Sequence, residues 1–151
     1  MQPTVLEAPS VIVPPLQVRV TGPEAFALTP GDLRRLFRGR RLTPARRQRL
    51  AASGQVLARC GTRVVGVAAY DPLGPEMRVH EFGVDSASPC PPDRIASVLL
   101  EALEVACLAC GGRRLVLLPR AALTPALLRS RGFVTIAEEC AGSWFEKSFP
   151  S

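Results

Sequence analysis

Between Arg78 and Phe133 the chain switches twice between strand and helix periodicity, and that alternation limits the folds open to it. RVHEFGVD (78–85) reads as a strand and the prolines of SASPCPP interrupt it. DRIASVLLEALEVACLAC (93–110) then reads as a long helix, starting near Asp93 and stopped by Gly111-Gly112. Ile95, Leu99, Ala102, Ala106 and Ala109, with Val98 and Leu103 beside them, form the broad apolar stripe of a helix lying on a sheet. RRLVLLP gives another strand, and its nearly continuous apolar run fits burial on both faces. A strand–helix–strand run returns the chain in its original direction, so a parallel strand pair with a right-handed crossover is expected.

The rest of the chain adds elements around this unit. LQVRV (16–20) alternates as a first strand. Thr29-Pro30-Gly31-Asp32 opens a helix running to Phe37, with Thr29 or Asp32 as cap, and Thr43-Pro44 opens a second that ends at Ser53-Gly54. QVLARC and RVVGVAAY flank Gly61-Thr62 as a hairpin. After a turn at Asp71–Pro75, Met77–Val84 completes an antiparallel meander. Thr124-Pro125 begins a short helix ended by Gly132, and FVTIAEEC and SWFEKSF close the chain. The order β-α-α-β-β-β-α-β-α-β-β predicts an α/β (α+β) fold: a mixed, mostly antiparallel sheet of six to seven strands with helices on both faces. Residues 1–15, rich in proline, read as an extended arm, and residues 16–151 as one domain, a size the full 151 residues suit.

No apolar run approaches the roughly 20 residues of a membrane span. The N-terminus lacks a basic start, and Pro9, Pro14 and Pro15 break its apolar residues, so no secretory signal is expected and the cytoplasm is the default location. Five cysteines, an odd number, argue against a disulfide framework. Cys107 and Cys110 form a lone C-x-x-C inside a helix and His80 is the single histidine, so no metal site is expected. The net charge of +6 is concentrated in eight arginines between Arg34 and Arg49, with only Asp32 nearby in sequence to offset them. Such a cluster suits a solvated helix face, or an acidic partner or phosphate.

Three local patterns in this order resemble the GNAT superfamily of acyl-CoA-dependent N-acyltransferases, over about residues 16–149. Val65-Gly66-Val67-Ala68 resembles the family's "vvGxa" strand. Gly83-Val84-Asp85, followed after a loop by Ile95-Ala96-Ser97-Val98-Leu99-Leu100-Glu101, resembles "aVd…GiGsaLLe". Leu127-Leu128-Arg129-Ser130-Arg131-Gly132-Phe133 resembles "lYeklGF". The resemblance implies that the strand ending near Val84 splays from its parallel neighbour. Acetyl-CoA or another acyl-CoA would lie in that cleft, its pantetheine along Val84 and Asp85 and its pyrophosphate on a Q/R-x-x-G-x-G/A loop. Here the loop is degenerate. Pro91 stands at the Q/R position, Arg94 at the first glycine and Ala96 at the last, and only Ala96 fits. Pro91 and Pro92 have no N–H to offer, whereas Arg94 brings a guanidinium suited to phosphate. The amides of Ile95, Ala96 and Ser97 are expected to be free at the helix start.

Acyl transfer to an amine needs a base for the ammonium and a proton for the leaving thiolate. His80 and Glu81 lie in the strand where the family places a base. Strict alternation puts His80 with Phe82 and Val84 on one face, and Glu81 with Val79 and Gly83 on the other. The tyrosine of "lYeklGF" is Leu128 here, which donates no proton, and the single tyrosine is Tyr70. Cys90 is a candidate reactive thiol near a helix start. Trp144 and Phe145 must face opposite ways, leaving one outside the core. Three functions follow as expectations. The first is an N-acyltransferase acting on a small-molecule or protein amine. The second is a non-catalytic module of the same fold that binds CoA or a protein. The third is a nucleic-acid-associated protein making phosphate contacts through its arginines.

Overall fold

A computed structural model of the protein describes residues 15–21, 28–38, 42–120, 122–139 and 142–150. The expected arm before Pro15, Arg40, Arg41 and Cys140 lie outside the described residues. The elements follow the expected order: β1 (Leu16–Thr21), α1 (Pro30–Leu36), α2 (Pro44–Ala52), β2 (Gly54–Cys60), β3 (Arg63–Leu73), β4 (Glu76–Val84), α3 (Pro92–Ala109), β5 (Arg114–Leu117), α4 (Pro125–Ser130), β6 (Val134–Glu139) and β7 (Gly142–Ser148). One sheet of seven strands runs β1-β2-β3-β4-β5-β7-β6. β4 and β5 pair in parallel, and every other pairing is antiparallel. This is the mixed sheet expected from the sequence.

Local chemistry starts three of the helices. The Thr29, Thr43 and Thr124 hydroxyls accept from the amides of Asp32, Arg46 and Leu127, and each is followed by a proline whose missing N–H costs nothing at that position. Asp32 returns its carboxylate to the Thr29 amide, which completes a capping box. α3 has no side-chain cap: its N-cap is Pro91, and it begins at Pro92, one residue before the expected start. The turn expected over Asp71–Pro75 is shorter, because β3 continues to Leu73 and Gly74, at φ +66°, makes the reversal.

The sheet separates two apolar layers. On one face Ile95, Leu99, Leu103 and Cys107 of α3 and Leu128 of α4 pack with Val56, Ala68, Val79, Phe82 and Phe145. On the other, Leu33, Leu36 and Phe37 from α1 and its end, and Leu50 of α2, pack with Leu57, Val67 and Ala69. Gly66 lies directly beneath α3, where a Cβ would stand 2.7 Å from Ile95 Cγ2 and 2.9 Å from Leu99 Cδ1. Phe145 is buried, and Trp144 faces away from that core with the Arg78 guanidinium 5.3 Å from its ring centre.

The feature that positions a site lies between β4 and β5. Their register joins only Glu76 to Arg114, Met77 to Leu115 and Arg78 to Val116. Beyond Arg78, β4 stays with β3 as far as Val84, opposite Gly66, while β5 stays with β7 and ends at Leu117. The two strands therefore part, and the β5-side edge of residues 79–84 has no ladder partner in β5.

Candidate functional site

Beside the stretch of β4 that has parted from β5 lies a slot of about 500 Å3, the size of a small-molecule or cofactor site. Phe82, Gly83 and Val84 of β4 line one side, Leu36, Phe37 and Arg38 at the end of α1 another. Ser86, Pro92 at the start of α3, and Arg120 and Ala122 after β5 complete it. Gly83 allows this geometry: a Cβ there would stand 2.8 Å from the Leu36 carbonyl oxygen and 2.9 Å from Phe37 Cε1. The sequence points to Val84, and to Arg38 only as one of the arginine cluster; that Arg38, Arg120 and the end of α1 meet β4 is a product of tertiary packing.

Val84 lines the slot as expected. Asp85 does not: its carboxylate is buried and anchors the loop. It accepts from Arg63 Nη2 at 2.7 Å and from the Ala87 amide at 3.0 Å, and Arg35 Nε lies 3.4 Å away. Burial alone would raise its pKa, but the bonds from Arg63 and Ala87 and the charges of Arg63 and Arg35 outweigh it and hold it below 3.8.

The start of α3 departs from the expected amide cradle. The amides of Arg94 and Ile95 both donate to the Pro91 carbonyl at 3.1 Å. Those of Ala96 and Ser97 fall within the helical ladder, four residues beyond Pro92 and Asp93. Pro91 and Pro92 have none, so Asp93 carries the one uncommitted N–H of the first turn among the described residues, beside its own carboxylate. Ile95 and Ala96 are core side chains, Ser97 is half-buried and Arg94 is exposed.

His80 and Glu81 share a face, contrary to strict alternation. Ala69 pairs with Glu81 and Tyr70 with Val79, which makes His80 the extra residue of a β-bulge. The bulge shifts the parity of β4, so Val79 and Phe82 both enter the α3-side core. His80 and Glu81 instead both reach α2 or its end. Arg46 Nε donates to Glu81 Oε1 at 2.8 Å, and His80 Nε2 lies 2.7 Å from Ser53 Oγ. That hydroxyl is also 2.7 Å from the Arg49 carbonyl oxygen and 3.0 Å from Asp71 Oδ1, both pure acceptors. Its single hydrogen goes to one of them, so we assign the ring hydrogen to Nε2, donating to Ser53. Neither His80 nor Glu81 lines the slot.

Tyr70 is buried on the α3 side against Gly54, where burial raises its pKa, and it does not line the slot. Leu128 is core. Cys90 is buried 3.8 Å from Cys60, and burial together with that thiol pushes its pKa up, so it is not the reactive thiol considered from sequence. The arginine cluster is not one cationic face: Arg35 pairs with Asp32 and Asp85, Arg46 with Glu81 and Arg49 with Asp71. Among the described residues no group of three His, Cys, Asp or Glu could hold a metal ion, and no helix is long and apolar enough to cross a membrane.

No protein-family model matches the sequence, and no curated protein matches it. Solved structures do. N-acetylglutamate synthase from Neisseria gonorrhoeae, complexed with coenzyme A and N-acetyl-glutamate, superposes with a TM-score of 0.68 at 12% identity over 90% of this chain. This chain spans 35% of that synthase's length. A GNAT family acetyltransferase from Elizabethkingia anophelis with acetyl-CoA bound gives 0.66 at 13% identity, covering 89% of this chain and 98% of that one. The GNAT domain of PAT from S. lividans gives 0.64 at 18% identity, covering 89% and 90%. The slot beside the free stretch of β4 thus sits in a chain with the fold of the GNAT acetyltransferases.

Proposed function

We propose that the protein binds acyl-CoA in the slot beside the free stretch of β4 and transfers the acyl group to an amine, as a GNAT-type N-acyltransferase. The observation that carries this reading is the divergence of β4 and β5 beyond Arg78, which leaves a strand edge and a cavity of about 500 Å3 side by side. An extended pantetheine chain can pair with such an edge as a further strand would. Solved relatives of the fold hold CoA or acetyl-CoA. The acceptor is a small-molecule or protein amine. The described cysteines are free, in keeping with a reducing cytoplasm.

In this reading Glu81 is the base candidate. It shares a face with Gly83, which lines the slot two residues on, and would take the amine proton through water while Arg46 fixes its carboxylate. His80 is the weaker candidate, because its Nε2 is held by Ser53. Water would protonate the thiolate, since Leu128 cannot.

A second reading is favoured by one observation: among the described residues no carboxylate, imidazole or phenol lines the slot. The chain would then bind acyl-CoA without transferring the acyl group, as a sensor or interaction module. Release of free thiol from acetyl-CoA, followed across a panel of amines, separates the two. Amine-dependent release that falls at least roughly a hundredfold in Glu81→Gln supports transfer with Glu81 as base. CoA binding without release from any amine supports the module.

A further inference from the structure

Two positive charges face the slot and nothing described balances them. Arg38 and Arg120 line it, and among the described residues no carboxylate does. Asp85 is taken by Arg63 and Arg35, Glu81 by Arg46 and Asp32 by Arg35, while Asp93, next to Pro92 at the start of α3, does not line the slot. Among the described residues the guanidiniums of Arg38 and Arg120 enter no ion pair or hydrogen bond. They come from different parts of the fold, Arg38 from the end of α1 and Arg120 from the segment after β5. Pro92, the first residue of α3, lines the same slot.

That helix start is a poor anion site. Two prolines remove donors, Pro91 O takes the amides of Arg94 and Ile95, and Asp93 adds a negative charge. A helix start whose one free amide sits beside a carboxylate and a slot lined by two unneutralised arginines are complementary observations. We infer that Arg38 and Arg120 form a guanidinium clamp that holds the pyrophosphate of the bound CoA, in place of main-chain amides at the start of α3. A CoA pyrophosphate carries one negative charge on each phosphorus, which matches one guanidinium apiece, and the planar fork of arginine suits phosphate oxygens. This inference rests on the acyl-CoA reading of the slot.

The test compares pantetheine, which has no phosphate, with dephospho-CoA, which keeps the pyrophosphate and lacks the ribose phosphate. Binding of each to the full chain is followed by calorimetry, or by ligand-observed NMR for the weaker ligand. The proteins are wild type, Arg38→Gln, Arg120→Gln, the double variant, Arg38→Lys with Arg120→Lys, and Arg113→Gln as an exposed control away from the slot. Thermal melts confirm that each variant is folded. The clamp requires dephospho-CoA affinity to fall roughly tenfold or more with each glutamine, with pantetheine affinity unchanged. The lysine pair should recover part of the loss, and Arg113→Gln should lose nothing. Equal dephospho-CoA affinity in wild type and the double variant overturns the clamp while leaving the acyl-CoA reading intact. The clamp is also overturned if the glutamines spare dephospho-CoA but raise the KM of a carboxylate-bearing amine, because the arginines would then serve the acceptor. A wild-type protein that binds neither ligand removes both the clamp and the reading beneath it.

Discussion

Burial lowers the pKa of His80 below its ordinary 6.5; Asp71 opposes this, Arg49 reinforces it, and Glu81 and Arg46 act in the same two senses more weakly. The unfolded chain therefore binds a proton that the folded one refuses in the window below 6.5. The stability gained from a neutral His80 is full above that pH and is lost as pH falls through the window. Since the chain has one histidine, its imidazole NMR signals report this site alone. A midpoint under 6.5 is expected, and one at or above 6.5 contradicts the described surroundings. Asp85 also has a depressed pKa, with its contribution present above 3.8 and lost as pH falls below that value. Asp85→Asn should cost about 1–3 kcal/mol in urea unfolding at neutral pH, and the difference from wild type should shrink below pH ~4. At this scale the sequence placed His80 and Glu81 in the strand but on opposite faces, whereas they share one. The two consecutive polar residues between Val79 and Phe82 were the available sign of a bulge, and simple alternation passed over it.

Helix starts were legible wherever the cap is local chemistry. Thr29, Thr43 and Thr124 each precede a proline and each caps its helix. α3 begins without a side-chain cap, within a residue of the expected Asp93, and its first-turn amides, expected to be free, are taken up by the Pro91 carbonyl and the helical ladder. The end of β5 has a readable cause as well: Pro119 cannot donate to a ladder, and the strand stops at Leu117. What no local pattern carries is the approach of α1 to β4. Gly83 reads in the sequence as a residue of a family motif, whereas in the fold it is the point where the end of α1 comes closest. Gly83→Ala should therefore destabilise the protein by about 1–3 kcal/mol, since the Leu36 carbonyl is backbone and cannot turn aside. It should also weaken CoA binding by moving Phe37 and Arg38. Unfolding midpoints and calorimetry on the same samples check both; an unchanged melt would mean that α1 does not press on β4.

Over the whole molecule, the order of elements and the parallel pair followed from periodicity and from the geometry of a strand–helix–strand crossover. The insertion of β7 between β5 and β6 did not, because it depends on pairings distant in sequence. The length over which β4 and β5 remain joined is a property of the assembled sheet too. That length decides whether a slot exists, and the proposed activity depends on the slot. The most direct measurement is an amide NMR titration of the assigned protein with CoA. The amides of Phe82, Gly83 and Val84, with those of Arg120 and Ala122 after β5, are expected to shift first and saturate together at one equivalent. Saturating CoA that leaves these five signals in place, or moves only residues remote from the slot, would contradict the account.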